Sequence, residues 1–488
     1  MLHAELTREV DEGASGPQIA AFFDLDRTLL AGFSAVHFVR EDILAGRMSA
    51  KHFAQTLLAA TLFQLRQIGF SGFVAGTLER LRDMSEKEFE SHAEHMFIEH
   101  LAADVYPEAR ALVQAHRRKG HTIAVVSSAT RYQIDPLARD FGIDHVLCTR
   151  LEVKHGKFTG RVIEPTCYGE GKATAARDFG TPRKIDFEES YFYTDSDEDL
   201  PLLEIVGKPR PTNPSSRLAE IAAKRGWPVN RFTSRGTPGA LEVVRTSLAV
   251  GALFPSFMLG VPAAVLGWSW RRAINVAITT WGELGTALAG IDVSVVGEEH
   301  LWSHRPAVFI FNHQSGVDML VLCRLLRRDI IAVAKQEVRR NPIFGPVFAA
   351  CGTVFIDRFD HDKAVAALKP VVESIREGLS LVLAPEGTRS ATGQLGRFKK
   401  GAFHMAMAAG VPIVPIVLRN TLDALPKHGI IVRPATIEVV VHPPIPTADW
   451  KLEDLDRHIE EIRNLYVGTM GEERAATRAV RPPGPSST

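Results

Sequence analysis

The stretch VFIFNHQSGVD at residues 308–318 decides the fold of the C-terminal half of the chain. Its four leading residues form an unbroken apolar run, which is typical of a buried strand in a parallel sheet. The polar residues that follow end this strand, and a helix is predicted to begin at Ser315. A strand that turns directly into a helix is the repeating unit of α/β folds. We therefore predict an α/β domain around this stretch.

Two residues of this stretch, His313 and Asp318, have the side chains needed for proton transfer. Across the turn, the carboxylate of Asp318 can fold back towards the imidazole of His313, where it orients the ring and stabilises the imidazolium. The sequence has no GxSxG motif to supply a serine nucleophile. The pair is therefore predicted to activate a substrate hydroxyl, since an alcohol that attacks a thioester needs only a base, an oxyanion donor and positioning.

Three more motifs follow in order. GTVFIDR at 352–358 and APEGTRS at 384–390 each place an arginine just after a predicted strand, where it can bind a phosphate through two parallel hydrogen bonds. VPIVP at 411–415 comes next. Together, NHQSxxD, FIDR, PEGTRS and VPIVP resemble the four ordered blocks of the glycerol-3-phosphate and 1-acylglycerol-3-phosphate acyltransferases, over about Val293–Val441.

This resemblance implies a glycerolipid acyltransferase fold in which His313 is the base and Asp318 orients it. The glycerophosphate-binding residues would be Lys335, Arg358, Glu386, Gly387, Thr388 and Arg389. PEGTRS resembles the lysophosphatidate-using branch, which implies acyl transfer from acyl-CoA or an acyl carrier protein to 1-acylglycerol 3-phosphate, giving phosphatidate. A different membrane lipid acceptor is the alternative.

The other strands of this domain, predicted to span 291–470, are short apolar runs. They are expected at Ala307–Phe311, Ile330–Ala334, Thr353–Asp357, Leu381–Ala384, Ile413–Leu418 and Thr436–His442. The tail at 471–488 has too little apolar surface to fold and is predicted to be disordered.

An apolar segment at 246–290 precedes this domain. Ser247–Trp270 contains no Asp, Glu, Lys, Arg or His and exceeds the roughly 20 residues that can span a bilayer. A second apolar run, Ala273–Gly290, carries only Glu283 as a charge. We predict a helical hairpin partly sunk in one leaflet at the cytoplasmic face of the cell membrane. A buried helical pair and two spanning helices are the alternatives.

The N-terminal part alternates apolar runs and amphipathic stretches from Ile19 to about Val206, as expected for a parallel sheet wrapped by helices. Strands are predicted at Ile19–Asp24, Thr122–Ser127 and Tyr191–Thr194. A long helical stretch at about 35–115 would form a cap over the sheet. The first strand ends in the motif DLDRT, which places two carboxylates at the carboxyl edge, where such sheets bind ligands.

Later in the chain come a hydroxyl at Ser127, a glycine-flanked lysine at Lys172, and acids at Asp195 and Asp199. This ordered set resembles the haloacid dehalogenase-like phosphohydrolases, in particular the branch with a helical cap, subfamily IB, that includes phosphoserine phosphatase. The resemblance covers a Rossmann-like domain at about 18–225. It implies that Asp24 is the nucleophile and Asp26 the general acid and base. Phosphate would be held by Thr28, Ser127 and Lys172, and Mg²⁺ by Asp24, Asp26, Asp195 and Asp199. Phe33 stands where the serine-specific enzymes carry a glutamate, so amino-acid specificity is not supported.

Composition limits the remaining possibilities. Lys plus Arg and Asp plus Glu both number 57, so overall charge gives no argument for nucleic-acid binding. The four cysteines lack the CxxC spacing of zinc or redox sites. Residues 1–17 are predicted to be a disordered, cytoplasmic N-terminus and 226–245 a linker. A non-catalytic scaffold or sensor is the alternative function for the N-terminal domain.

Overall fold

The computed structural model describes residues 4–44, 81–266, 269–356 and 361–475, with isolated positions between 45 and 80. The chain divides into two compact units, Met1–Thr237 and Pro238–Thr488. Each unit has its own sheet, with an apolar cluster of buried side chains on either side. The α/β class predicted for both halves is confirmed.

The sheet of the N-terminal unit has β1 at its centre. Its strands are β1 (Ile19–Phe23), β2 (Thr122–Thr130), β3 (His145–Lys154), β4 (Lys157–Ile163), β5 (Asp186–Thr194) and β6 (Lys208–Pro211). They are ordered β4-β3-β2-β1-β5-β6, and all neighbours are parallel except the antiparallel pair β3 and β4. All five residues of β1 are buried, as expected for a strand covered on both faces. Its carboxyl end therefore lies between those of β2 and β5.

Helices of the N-terminal unit connect these strands. They are α1 (Ala4–Glu12), α2 (Ser34–Leu44), α3 (Glu86–Glu99), α4 (Pro107–Arg118), α5 (Arg131–Phe141), α6 (Glu170–Gly180), α7 (Leu200–Leu203) and α8 (Ser216–Arg225). In the predicted cap, α2 and α3 pack together through Phe38 and Phe89, whose ring centroids are 6.2 Å apart. However, α4 packs against β2, so the cap ends before the predicted residue 115. Most of residues 45–80 lie outside the described residues.

The prediction that residues 1–17 are disordered is wrong for α1. Thr7 and Val10 lie on one face of this helix, where both are buried, and α1 packs against α4. Glu9 on this helix forms an ion pair with Arg210. A helix this short gains most of its stability from such tertiary contacts, which its own sequence does not reveal.

The sheet of the C-terminal unit contains seven strands among the described residues. They are β7 (Ile291–Val296), β8 (Val308–Phe311), β9 (Ile330–Lys335), β10 (Val354–Ile356), β11 (Ser380–Leu383), β12 (Ile413–Leu418) and β13 (Ala435–Val441). Their order is β10-β9-β11-β8-β12-β13-β7, and β12 and β13 are antiparallel. β7 was not predicted, because only alternate residues of this edge strand face the protein. The apolar strand β8 lies in the middle of the sheet.

The first helix of the C-terminal unit begins before the predicted residue 246, and its last helix ends after the predicted residue 470. They are α9 (Ala240–Gly251), α10 (Leu253–Val265), α11 (Trp270–Ala289), α12 (His300–Ser303), α13 (Asp318–Leu326), α14 (Gln336–Arg339), α15 (Phe344–Ala350), α16 (His361–Arg376), α17 (Gly401–Ala409), α18 (Thr421–Ala424) and α19 (Leu455–Ala475). The linker is shorter than 226–245 because α9 begins inside it. The tail is helical to Ala475, and residues 476–488 lie outside the described residues.

The apolar segment folds as two successive helices, α10 and α11, that pack against each other. Its second half, α11, is a core helix that packs closely on α13. A Cβ atom on Gly282 would lie 2.4 Å from the main-chain nitrogen of Arg324, so only glycine fits there, and one on Gly285 would lie 2.6 Å from the Leu320 side chain. The predicted membrane hairpin is therefore not confirmed. Within the described residues, one helical stretch, Ala240–Pro262, is long and apolar enough to cross a membrane, and 33% of its apolar window is buried.

Candidate active sites

Asp24 and Lys172 form the centre of the N-terminal site. Asp24 directly follows β1 and is buried, and its main-chain N–H donates to the carbonyl of Tyr193 on β5 at 2.9 Å. The ammonium of Lys172 lies 3.1 Å from Asp24 Oδ1 and 2.7 Å from Asp199 Oδ2. Burial lowers the pKa of Lys172, but the two carboxylates outweigh burial and raise it. The lysine therefore stays protonated beside the predicted nucleophile.

Asp26 has the environment of a proton-transfer group. Its Oδ1 accepts a hydrogen bond from the main-chain N–H of Ser34 at 2.7 Å. Burial raises the pKa of Asp26 to about 6, and the charge of Asp24 contributes to the increase. A carboxyl group with such a pKa can both give and take a proton near neutral pH.

Two hydroxyl side chains lie near the same edge. Thr28 is 1% exposed, and its hydroxyl has no hydrogen-bond partner among the described residues. A buried hydroxyl without a partner is costly, so this group is well suited to a ligand oxygen. Ser127 is also buried and lies at the carboxyl end of the neighbouring β2, where its oxygen accepts from Ala129 N–H at 3.3 Å. The predicted phosphate-binding residues therefore belong to adjacent strand ends.

The four carboxylates predicted to bind Mg²⁺ do not form one ligand set. Asp199 Oδ2 accepts hydrogen bonds from both Lys172 and the Thr194 hydroxyl, so Asp199 serves Lys172. In the described part of the chain, no group of three or more His, Cys, Asp or Glu side chains is arranged to hold a metal. Asp199 therefore positions Lys172, and its role as a direct Mg²⁺ ligand stays a prediction.

Asp24 and Asp195 remain suitable for a hard cation. They follow the neighbouring strands β1 and β5, and both are buried. Burial and the charge of Asp24 raise the pKa of Asp195 to about 7, although Arg27, 3.1 Å away, lowers it. At this edge of the sheet, the carboxylates therefore carry more negative charge than the nearby cations neutralise. Oxygen donors in such a setting fit Mg²⁺.

Asn312 fixes the start of the C-terminal site. Its side-chain amide donates to the carbonyl of Leu418 at 2.7 Å, and its amide oxygen accepts from Leu418 N–H at 2.8 Å. Asn312 thus links the segment after β8 to the end of β12 and fixes the position of the next residue, His313. The motif NHQSxxD contains this asparagine, but the local sequence does not indicate its bonds to the distant Leu418.

The predicted pair His313 and Asp318 is formed. Asp318 is the first residue of α13 and fully buried, whereas a quarter of the His313 side chain is exposed. Asp318 Oδ2 lies 2.7 Å from His313 Nδ1 and also accepts the main-chain N–H groups of Gln314 and Ser315. An oxygen that already accepts two N–H groups favours a carboxylate, so His313 carries its proton on Nδ1. Nε2 is then left as the basic nitrogen.

The PEGTRS loop holds the main chain of His313 from both sides. Glu386 Oε1 accepts from His313 N–H at 2.9 Å, and Ser390 N–H donates to the His313 carbonyl at 2.8 Å. The second oxygen of Glu386 accepts from Gly396 N–H at 2.7 Å, and burial raises the pKa of Glu386. Both carboxylate oxygens are therefore used internally. Glu386 was predicted to bind substrate, and the structure instead makes it a positioning residue.

The residues predicted to bind the glycerophosphate are not all placed beside His313 and Asp318. The guanidinium of Arg389 lies beside the catalytic turn, 3.9 Å from where a Cβ on Gly316 would be. Lys335 is exposed at the carboxyl end of β9, on the same sheet edge as His313. Thr388 is exposed and Gly387 has a φ of +77°. Arg358 lies outside the described residues.

Both halves of the chain match known families. Residues 21–204 match the haloacid dehalogenase-like hydrolase family, and residues 292–419 match the acyltransferase family. A 1-acyl-sn-glycerol-3-phosphate acyltransferase of Cocos nucifera is 33% identical over 241 residues, which is 48% of this chain and 78% of that protein. A probable phosphatase of Mycobacterium tuberculosis is 31% identical over 268 residues, which is 52% of this chain and 89% of that protein.

Among solved structures, the 1-acyl-sn-glycerophosphate acyltransferase PlsC of Thermotoga maritima is 22% identical, with a TM-score of 0.40, and the match covers 47% of this chain and 97% of that one. The two matched families correspond to the two sites. The chain is therefore a fused enzyme that belongs to the haloacid dehalogenase-like hydrolases through its N-terminal unit and to the 1-acyl-sn-glycerol-3-phosphate acyltransferases through its C-terminal unit.

Proposed function

We propose that the C-terminal unit transfers a fatty acyl group from acyl-CoA or an acyl carrier protein to the free hydroxyl of 1-acylglycerol 3-phosphate, giving phosphatidate. The observation that carries this proposal is the free Nε2 of His313 opposite an Nδ1 held by Asp318. Nε2 would take the proton of the lipid hydroxyl as its oxygen attacks the thioester carbonyl. The thiolate would then leave and receive that proton from His313.

An apolar cavity supports a fatty acyl group as the transferred unit. Phe257 on α10, Trp281 on α11 and Met319 on α13 contribute to its lining. Met319 directly follows Asp318 in the chain, so this cavity is lined in part by the helix that begins at the catalytic aspartate.

A panel of acceptors tests this assignment. Purified full-length protein would be incubated with labelled acyl-CoA and several lysophospholipids. Labelled phosphatidate from 1-acylglycerol 3-phosphate is the expected product. Acylation of only another lipid would support the alternative acceptor and would refute the lysophosphatidate assignment.

The role of Glu386 leads to a separate prediction. Glu386→Gln should lower kcat for acyl transfer by about 10- to 100-fold, because an NH₂ group would face one of the two main-chain N–H groups and displace His313. KM for the acceptor should stay nearly constant. Glu438→Gln is the matched control, since this half-exposed side chain pairs only weakly with Arg419, at 3.4 Å. If Glu386→Gln instead raised KM for the acceptor and left kcat unchanged, Glu386 would be a substrate-binding residue, as predicted from the sequence.

We propose that the N-terminal unit hydrolyses a phosphomonoester through an aspartyl-phosphate on Asp24. Asp26 would protonate the leaving alcohol and then take a proton from the attacking water. Lys172 would orient Asp24 and face the phosphate oxygens. Asp24 and Asp195 would hold Mg²⁺, which would neutralise phosphate charge.

A lipid phosphate is the proposed substrate class of this phosphatase, since fusion keeps both active sites on one chain that handles lipid intermediates. The full-length His313→Ala variant, which cannot acylate, would be assayed for phosphate release from phosphatidate and from soluble phosphoesters. Release only from soluble phosphoesters would count against the lipid substrate. Absence of turnover on every phosphoester would favour the sensor role.

The proposed location is the cytoplasmic face of the cell membrane, with α9 and α10 in contact with one leaflet. Both helices carry exposed apolar residues at helical spacing, with exposed fractions that reach 77%. They are Leu241, Val244 and Leu248 on α9, and Phe254, Met258, Val261 and Val265 on α10. A stripe of this kind fits the interface between headgroups and acyl chains.

Charges on this stripe should release the enzyme from membranes. The double variant Phe254→Glu and Val265→Glu is expected to weaken binding to phospholipid vesicles by about tenfold or more, because two exposed apolar side chains can no longer be buried. Vesicle sedimentation measures the effect. The control carries Leu452→Glu and Val467→Glu, two exposed apolar residues elsewhere in the same unit. Equal sedimentation of both variants would refute membrane contact through α9 and α10.

A further inference from the structure

Lys399 lies against the PEGTRS loop, although no motif in the sequence analysis included it. Its main-chain N–H donates to the carbonyl of Pro385 at 2.8 Å. Its side chain crosses Gly387: a Cβ on that glycine would be 3.3 Å from Lys399 Cδ, 3.2 Å from Cε and 2.9 Å from Nζ. The φ of +77° at Gly387 favours glycine, and the missing side chain leaves the space over which the lysine lies.

The segment that carries Lys399 is held firmly. Gly396 N–H donates to Glu386, and the Gly396 carbonyl accepts from Arg463 of α19 at 3.3 Å. Phe398 is buried, with its ring packed edge-on against Tyr466 at 5.3 Å between centroids. These contacts and the Pro385 bond fix the main chain at Lys399, whose exposed side chain lies over Gly387.

The charge of Lys399 has no partner among the described residues: no carboxylate forms an ion pair with it, and no acceptor receives a hydrogen bond from its ammonium. The next residue, Lys400, behaves differently, because its ammonium pairs with Asp456 at 2.7 Å. Arg389, two residues after Gly387, likewise has no ion pair within the described part of the chain. Among the described residues, Arg389 in the PEGTRS loop and Lys399 against that loop are thus both cations without an ion pair.

We propose that Lys399 binds the phosphate of the lipid acceptor together with Arg389. This inference rests on the proposed acyl transfer to a glycerophosphate. A phosphate monoester carries a charge of about −1.5 to −2 near neutral pH, which one guanidinium does not neutralise. In 1-acylglycerol 3-phosphate, the carbon that bears the free hydroxyl, which is the one to be acylated, is bonded to the carbon that bears the phosphate. A hydroxyl at His313 therefore brings its phosphate to the neighbouring loop.

The substitution Lys399→Gln tests this role, since Gln removes the charge while keeping an unbranched side chain over Gly387. KM for 1-acylglycerol 3-phosphate should rise by about 10- to 100-fold, the loss expected for one charge-assisted hydrogen bond, while KM for acyl-CoA stays constant. Lys399→Arg should restore most of the affinity. Lys400→Gln is the matched control and should leave both KM values unchanged, because its ammonium already pairs with Asp456.

The outcomes separate this inference from the proposed function. If the wild-type protein acylates 1-acylglycerol 3-phosphate but Lys399→Gln leaves its KM unchanged, Lys399 has no role in phosphate binding and the proposed function stands. A rise in KM for acyl-CoA alone would also overturn the inference, since it would assign Lys399 to the donor. If the wild-type protein does not acylate this acceptor, the proposed function itself fails.

Discussion

His313→Ala should lower kcat for acyl transfer by about 10²- to 10⁴-fold, the usual contribution of a positioned general base. Alanine leaves the acceptor hydroxyl without a group to take its proton, while the cations proposed to bind the acceptor remain. The variant should stay folded, because Asp318 Oδ2 keeps the N–H groups of Gln314 and Ser315 when the imidazole is removed. Labelled acyl-CoA and 1-acylglycerol 3-phosphate provide the assay, and circular dichroism checks the fold.

The control for this prediction is His404→Ala, since His404 is exposed on α17 and its loss should not change kcat. The phosphatase activity of the same His313→Ala protein serves as an internal control, because every residue of the N-terminal site lies in the other unit. A His313→Ala enzyme with near-normal kcat would exclude His313 as the base. The proposed acyl-transfer mechanism would then have to be abandoned.

Local sequence pattern was enough to predict the features that depend on neighbouring residues. β8 and β1 are unbroken apolar runs, and both are buried central strands. The contact of His313 with Asp318 could be predicted because one turn of chain separates them, so few other geometries are available. The same reasoning predicted that Asp24, just after β1, and Ser127, in the last half of the adjacent β2, lie near one edge, since parallel strands present their carboxyl ends at one edge.

Features that depend on distant residues could not be predicted. Glu386 was assigned to substrate from the resemblance of its motif to the acyltransferases, whereas both of its oxygens accept main-chain N–H groups, from His313 and Gly396. The apolar composition of α11 is the same for a membrane helix and a core helix. What distinguishes the two is the close packing of Gly282 and Gly285 on α13, which only the fold brings together.

Asp24→Asn should lower phosphate release by about 10³-fold or more, because an amide cannot form the aspartyl-phosphate. The substitution should be tolerated by the fold. An asparagine oxygen can still accept the Leu25 N–H that Asp24 Oδ1 accepts at 2.8 Å, and Lys172 keeps its 2.7 Å contact with Asp199. Acyl transfer by the same protein should be unchanged, since His313 and its contacts belong entirely to the C-terminal unit. Phosphate release and labelled phosphatidate would be measured in parallel.

Asp197→Asn is the matched control, because this carboxylate is in the same acidic run but contacts Ser215 and Arg217 instead of Lys172. It should retain near-normal turnover, which would separate loss of the nucleophile from a general loss of negative charge. Full phosphatase activity in Asp24→Asn would rule out Asp24 as the nucleophile. Loss of both activities in a folded Asp24→Asn protein would instead mean that the two sites are coupled, so that turnover in one unit controls the other.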